Sequence, residues 1–153
     1  MFVLHNNRLL MLHRSPENPL DGGKWSVISG KVEGDESFEE CALRELCEET
    51  GVGPNNLALF GFINEGNAVF VSRVTDEEAQ NIALQREGTE LRFVNFAELN
   101  ELDLAEIFAN HLREHSEGFR NLIEEDELPS PTELGLVVPE EEKEHTVEGN
   151  RLI

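Results

Sequence analysis

The spacing of apolar positions changes several times along the chain, and each change marks an element. Residues 1–5 and 8–13 are short apolar runs around Asn6-Asn7, which predicts two arms of a β-hairpin or one interrupted strand. Residues 14–24 are rich in Pro, Asn, Asp and Gly and predict a loop. Residues 25–28 predict a strand that delivers the chain to Gly30. From Ser37 the period turns helical. Ser37-Phe38-Glu39-Glu40 has the form of a capping box, and Gly51 stands where such a helix stops. Residues 57–63 and 68–74 are apolar runs separated by Asn64-Glu65-Gly66-Asn67, which predicts a second hairpin. Residues 76–85 read as a loop or a short helix. Residues 89–95 alternate as a strand, and 96–99 fit one helical turn. Leu104, Ile107, Phe108 and Leu112 recur at helical spacing, predicting an amphipathic helix over 104–115.

Beyond residue 115 the pattern weakens. Residues 120–128 fit a short helix ended by Pro129 and Pro131, and 139–148 carry charge without an apolar period, the pattern of a solvated tail. If that tail is held, Val137, Val138, Leu152 and Ile153 are the residues to hold it, against the body or against a second copy in a homodimer. Strands, a long helix, more strands and a terminal helix make an α/β or α+β domain over residues 1–115, followed by an acidic C-terminal extension over 116–153.

Composition narrows the partners. A chain of 153 residues with 39% hydrophobic content suits one domain with a real core. No apolar run approaches the roughly 18 residues of a membrane-spanning helix, and the first residues lack the pattern of a signal peptide. Cys41 and Cys47 fall on one predicted helix, about 9 Å apart along its axis, too far for a disulfide. Free thiols point to a reducing, cytoplasmic compartment. The formal charge of −20 is extreme. Residues 30–52 hold a net of −6 and residues 116–153 a net of −8. Such a field repels a nucleic-acid backbone and disfavours a DNA- or RNA-coating role, including action on an RNA end. It weighs less against a small nucleotide that arrives with a divalent cation.

The chemistry concentrates in the predicted helix. At about 100° per residue, Glu45, Glu48 and Glu49 fall within one arc of roughly 100°. Three carboxylates on one face repel one another unless a cation sits among them. Mg²⁺ binds through a few carboxylates plus substrate phosphates, so this face reads as a Mg²⁺ or Mn²⁺ platform. The alternative is a solvated acidic face. Gly30 ahead of the helix, Arg44 within it and Gly51 behind it favour the platform.

Residues 30–52 fit the pattern G-x5-E-x7-R-E-U-x-E-E-x-G-U, where U is a bulky aliphatic, at all nine constrained positions: Gly30, Glu36, Arg44, Glu45, Leu46, Glu48, Glu49, Gly51 and Val52. This resembles the signature box of the Nudix hydrolases, which cleave nucleoside diphosphates linked to another group. The resemblance extends from about residue 8 to 115. It includes the approach Leu9-Leu10-Met11-Leu12-His13-Arg14 and Trp25-Ser26-Val27-Ile28-Ser29-Gly30, and the sequel Glu87-Gly88, Phe93 and Glu98-Leu99. Ser29 stands where most members place a glycine, and the chain after residue 116 has no counterpart.

The resemblance implies the Nudix fold, a mixed β-sheet sandwiched between helices. It implies that Glu45, Glu48, Glu49 and the carbonyl of Gly30 are metal ligands, and that Arg44 orients a box glutamate. The alternative for Arg44 is a surface arginine. Glu36 resembles a box residue that supports the loop or a second metal; otherwise it is an acid stabilised by the helix dipole. The catalytic base is then a box glutamate such as Glu45, or a downstream acid, for which Glu87 is the choice with Glu90 behind it. Arg14, Lys24 and Lys31 are candidates to steady phosphate oxygens, or else ordinary surface cations.

The expected activity is Mg²⁺-dependent hydrolysis of a phosphoanhydride in a nucleoside triphosphate, including an oxidised one. ADP-ribose or a nucleotide sugar is the alternative substrate. A ligand sensor or interaction module without turnover is the rival class, and the intact set of box acids disfavours it.

Overall fold

The computed structural model describes residues 1–63, 66–83 and 90–138. The predicted first hairpin is present: β1 (Phe2–His5) and β2 (Arg8–His13) pair antiparallel, with Leu4 opposite Leu9 and His5 opposite Arg8. Asn6 and Asn7 have φ of 49° and 57°, the left-handed pair that a two-residue turn needs if its twist is to match the strands. Then come β3 (Trp25–Ser26), α1 (Phe38–Thr50), β4 (Ala58–Ile63), β5 (Asn67–Arg73), α2 (Asp76–Asn81), β6 (Glu90–Val94), α3 (Phe96–Leu99), α4 (Glu106–Glu114) and α5 (Ser116–Glu124). A 3-10 turn, Pro131–Leu134, follows.

The sheet is mixed. β1 and β5 run parallel, and the other strand-to-strand pairings among the described residues are antiparallel. β2 pairs with β1, β3 and β6, and β4 lies at the far edge beyond β5. Alternate residues along the strands feed two buried layers. Phe2, Leu4, Leu9 and Met11 meet Leu99, Phe108, Leu112, Phe119, Leu122 and Ile123 on one face. Met1, Val3, Leu10 and Ile28 meet Phe38, Cys41, Ala42 and Leu46 of α1 on the other. A mixed sheet between helical layers is the architecture the resemblance implies.

Three boundaries differ from those the sequence predicts. β3 is two residues long; Ile28 is buried but outside the strand, and its carbonyl accepts from the Met1 amine at 2.8 Å. The terminal helix starts at Glu106, because Leu104 is drawn into a bridge with Trp25. It ends at Glu114, and the next helix follows after a break at His115 (φ −127°, ψ 37°), so that α5 spans Ser116–Glu124 rather than 120–128. The first part of the ambiguous 76–85 stretch is α2, Asp76–Asn81, capped by Thr75 and Glu78; residues 84 and 85 lie outside the described residues.

The acidic stretch set apart from residue 116 instead runs its first part into the core. Phe119, Leu122, Ile123, Leu134 and Leu136 are all buried with Phe2 and Leu9. Val137 and Phe62 exchange backbone hydrogen bonds of 2.8 and 3.0 Å at the β4 edge, while the side chains of Val137 and Val138 are exposed. Leu152, Ile153 and Glu87 lie outside the described residues. Among the described residues no helix is long and apolar enough to cross a membrane.

Candidate metal and phosphate site

α1 carries its own start and stop signals. Ser37 Oγ accepts from the Glu40 amide at 3.1 Å, and Glu40 returns the bond to the Ser37 amide at 2.9 Å. Gly51 adopts φ 77° and donates to the Cys47 carbonyl, closing the helix. Burial of Phe38, Cys41, Ala42, Leu46 and Thr50 against the sheet fixes the rotation of α1. Glu45, Glu48 and Glu49 are left half-buried along its flank.

Arg44 organises this flank. One nitrogen, Nη1, donates to Glu45 at 2.8 Å and to Glu48 at 3.2 Å. Nε and Nη2 grip the two oxygens of Glu36 at 3.1 and 2.7 Å. Nη2 also donates to the Lys31 carbonyl at 2.9 Å, tying the helix to the loop before it. Glu36 in turn accepts from the Glu33 amide at 2.8 Å. Arg44 thus spans three box acids rather than the single glutamate expected. Its charge is held more firmly than usual, first by its bond to Glu36. Burial, then the charge of Glu36, pushes the Cys41 thiol up to about 12, so it is no nucleophile.

The same clamp sets a pH dependence. The Arg44 guanidinium holds the Glu36 carboxyl at about 2, below its ordinary 4.5. A carboxyl depressed in the folded state stabilises the fold fully above pH 4.5, and that stabilisation is lost as the pH falls towards 2. Glu36→Gln is therefore expected to lower the urea midpoint clearly at pH 7 and much less at pH 3. Equal losses at both pH values would show that the charged clamp is not what Glu36 contributes.

Gly30 lies against Glu45. An added Cβ there would come within 2.1–2.5 Å of the Glu45 carboxyl group, so a side chain at this position would push the Glu45 carboxylate out of its place. The Gly30 loop and the Glu45 carboxylate lie side by side, and carbonyl and carboxylate oxygens are the hard donors that Mg²⁺ or Mn²⁺ takes, so the chemistry of the set fits such an ion. Among the described residues no three acid, His or Cys side chains already converge on one point, since Glu45 and Glu48 are turned onto Arg44.

The cation candidates separate. Arg14 is half-buried and donates from Nε to Ser26 Oγ at 3.0 Å. Its backbone is laddered to Lys24 and Gly23 at 2.9 and 3.1 Å, which brings Lys24 beside it. Lys31 is exposed next to Gly30. Glu90 is ion-paired at 2.8 Å with Arg92, whose guanidinium lies 4.8 Å from the centre of the Trp25 ring. Ser26 was not among the candidates. The signal available for it was a polar residue inside an otherwise apolar strand.

A family model for the NUDIX domain matches residues 1–116. The chain belongs to the Nudix family of hydrolases. It is 37% identical over 79 residues to the NAD-capped RNA hydrolase NudC of Haemophilus influenzae, a match covering 50% of this chain and 30% of that protein. The matched part is thus less than a third of that relative's length. A mutT/nudix family protein from Listeria innocua superposes with a TM-score of 0.58 at 25% identity, covering 78% of this chain and 90% of the other. The NUDIX domain of Shewanella oneidensis NrtR, in complex with ADP ribose, superposes with a TM-score of 0.57 at 21% identity, covering 76% and 81%. That likeness is one of fold.

Proposed function

We propose that this chain hydrolyses a phosphoanhydride bond in a small nucleotide, using Mg²⁺ or Mn²⁺. The observation that carries the reading is the α1 flank: Glu45, Glu48 and Glu49 beside a loop glycine whose backbone touches Glu45, with Arg44 clamping the acids. Glu45, Glu48, Glu49 and the Gly30 carbonyl would hold the ion. The bound ion supplies neutralisation of phosphate charge and makes an attacking water more acidic. The protein's own groups do the rest. Glu36 fixes Arg44, and Arg44 fixes the directions of Glu45 and Glu48. Arg14, with Lys24 beside it, and Lys31 next to Gly30 meet phosphate oxygens. Glu87 takes the proton of the water, with Glu45 the box alternative.

The preferred substrate is a nucleoside triphosphate, an oxidised one included, cleaved to a monophosphate and pyrophosphate. A second reading is a nucleoside diphosphate joined to another group, such as ADP-ribose, a nucleotide sugar or a dinucleotide. The similarity to the NAD-capped RNA hydrolase NudC favours it. A net charge of −20 weighs against a long RNA substrate in either case.

A mixed panel of nucleoside triphosphates, ADP-ribose, nucleotide sugars and NAD, assayed with Mg²⁺ and with products identified, separates these readings. Turnover is expected to vanish in excess chelator and to return with Mg²⁺ or Mn²⁺. Full activity in chelator would sink the metal assignment. Saturable binding without turnover of any member would favour a sensor.

A further inference from the structure

We infer that Ser26 is a positioning residue for phosphate binding, holding the Arg14 guanidinium where it meets the diphosphate of the substrate; this deepens the hydrolase reading and rests on it. Ser26 is only 4% exposed, one of few buried polar side chains among the described residues. A hydroxyl buried in a strand is costly without a partner, and its partner is Nε of Arg14 at 3.0 Å. That bond uses the inner edge of the guanidinium and leaves both Nη groups for a ligand. Arg44, Arg92 and Arg120 are each tied to a carboxylate, whereas Arg14, Arg8, Arg73 and Arg113 make no ion pair among the described residues. Of these four, Arg8 and Arg113 are exposed and Arg73 gives an Nη to the Glu125 carbonyl, while Arg14 is half-buried and held through Nε. In a chain this acidic, a half-buried arginine kept clear of carboxylates is suited to an incoming anion.

The strand directs the pair towards the acids. Trp25 packs with Phe108 and Phe119 on the face away from α1. Successive strand residues alternate, so Ser26 faces the other way. Its cross-strand partner Leu12 packs with Phe38, Cys41 and Leu46 of α1. Four residues on, at most about 13 Å along the chain, Gly30 touches Glu45. The Arg14 backbone is locked to the Lys24 carbonyl and the Gly23 amide, so the side chain starts from a fixed point. A diphosphate bridged between the α1 acids and the free edge of Arg14 fits this layout.

The test is equilibrium binding of inorganic pyrophosphate with Mg²⁺ to the full chain. It is read by fluorescence of Trp25, the one tryptophan and the neighbour of Ser26, and checked by calorimetry. Wild type is expected to bind. Ser26→Ala should weaken binding about tenfold, the scale of a lost hydrogen bond to a charged group. Ser26→Thr should restore it. Arg14→Ala should cost at least as much, and adding Ser26→Ala to it should cost nothing further. On whichever nucleotide is turned over, Ser26→Ala should raise KM by the same factor and leave kcat within about twofold. If Ser26→Ala does not fold, Ser26→Cys replaces it, since a thiol is a far weaker acceptor for the Arg14 Nε and nearly fills the same space; the same tenfold loss is expected. Three results would overturn the inference: no binding by wild type, unchanged binding in Ser26→Ala or its substitute, or an equal Ser26 loss in the Arg14→Ala background. A chain that binds pyrophosphate through Arg14 but turns over no nucleotide defeats the hydrolase reading alone.

Discussion

Glu49→Gln is expected to lower turnover by about 10²- to 10³-fold, the scale of removing one charge-stabilising group from a reacting centre. Raised Mg²⁺ should recover part of that loss. Glu49 tests the ligand set without disturbing the Arg44 clamp. Glu45 and Glu48 both bond Arg44, so changing either also loosens the clamp to Glu36 and the Lys31 carbonyl. Glu49 is not among the groups Arg44 reaches, and its Oε2 is shielded from solvent. A shielded oxygen has little water to lose when an ion binds beside it. Glu87→Gln should behave differently. Losing a general base costs about 10²- to 10⁴-fold. Added metal should not repair it, whereas higher pH should, because more of the attacking water is then ionised. Steady-state rates over metal concentration and pH distinguish the two. A loss below about tenfold in Glu87→Gln would make Glu87 a bystander and return the base to Glu45. A Glu49→Gln enzyme with wild-type rate and metal response would remove Glu49 from the ligand set.

The parts of this site that could be read in the sequence are those fixed locally. Ser37, Glu40 and Gly51 cap α1 through bonds within a few residues, so spacing alone locates the helix and its acidic flank. Asn6-Asn7 sets a two-residue turn, and the register of β1 on β2 follows from it. The parts that could not be read depend on contacts distant in sequence. Arg44 reaches back eight residues to Glu36 and thirteen to the Lys31 carbonyl, so its role as a three-acid clamp is a tertiary fact. Ser26 passed as an ordinary member of the predicted strand 25–28, because nothing local announces that Arg14, across a loop, donates to its hydroxyl. β3 keeps only Trp25 and Ser26 of the predicted strand, and Trp25 also bridges to Leu104, a contact distant in sequence. The start of α5 was concealed by Glu117 and Gly118. A glycine in a helix argues against that helix unless something must approach it closely.

That something is the 3-10 turn, and it reverses the usual sign of a glycine substitution. Replacing an interior helical glycine with alanine ordinarily stabilises by about 1 kcal/mol. At Gly118 an added Cβ would stand 2.0 Å from the carbonyl oxygen of Glu133 and 2.7 Å from its carbonyl carbon. Both are backbone atoms, so relief requires moving the whole turn. Leu134 and Leu136 are buried just beyond it, against the core that includes Phe119 and Leu122. Gly118→Ala is therefore expected to destabilise by about 3 kcal/mol, at the upper end for overpacking. For a chain of this size that is a fall in Tm of roughly 6–12 °C. The displaced turn should carry Val137 off the β4 edge, where Val137 and Phe62 exchange their backbone bonds. Hydrogen exchange at the Val137 and Phe62 amides should then quicken ahead of the rest of β4 and β5. α1 packs on the opposite face of the sheet, so metal-dependent turnover should persist below the lowered Tm. A Tm equal to or above that of the wild type would mean that the turn does not pack on α5. It would also mean that the core ends before residue 131.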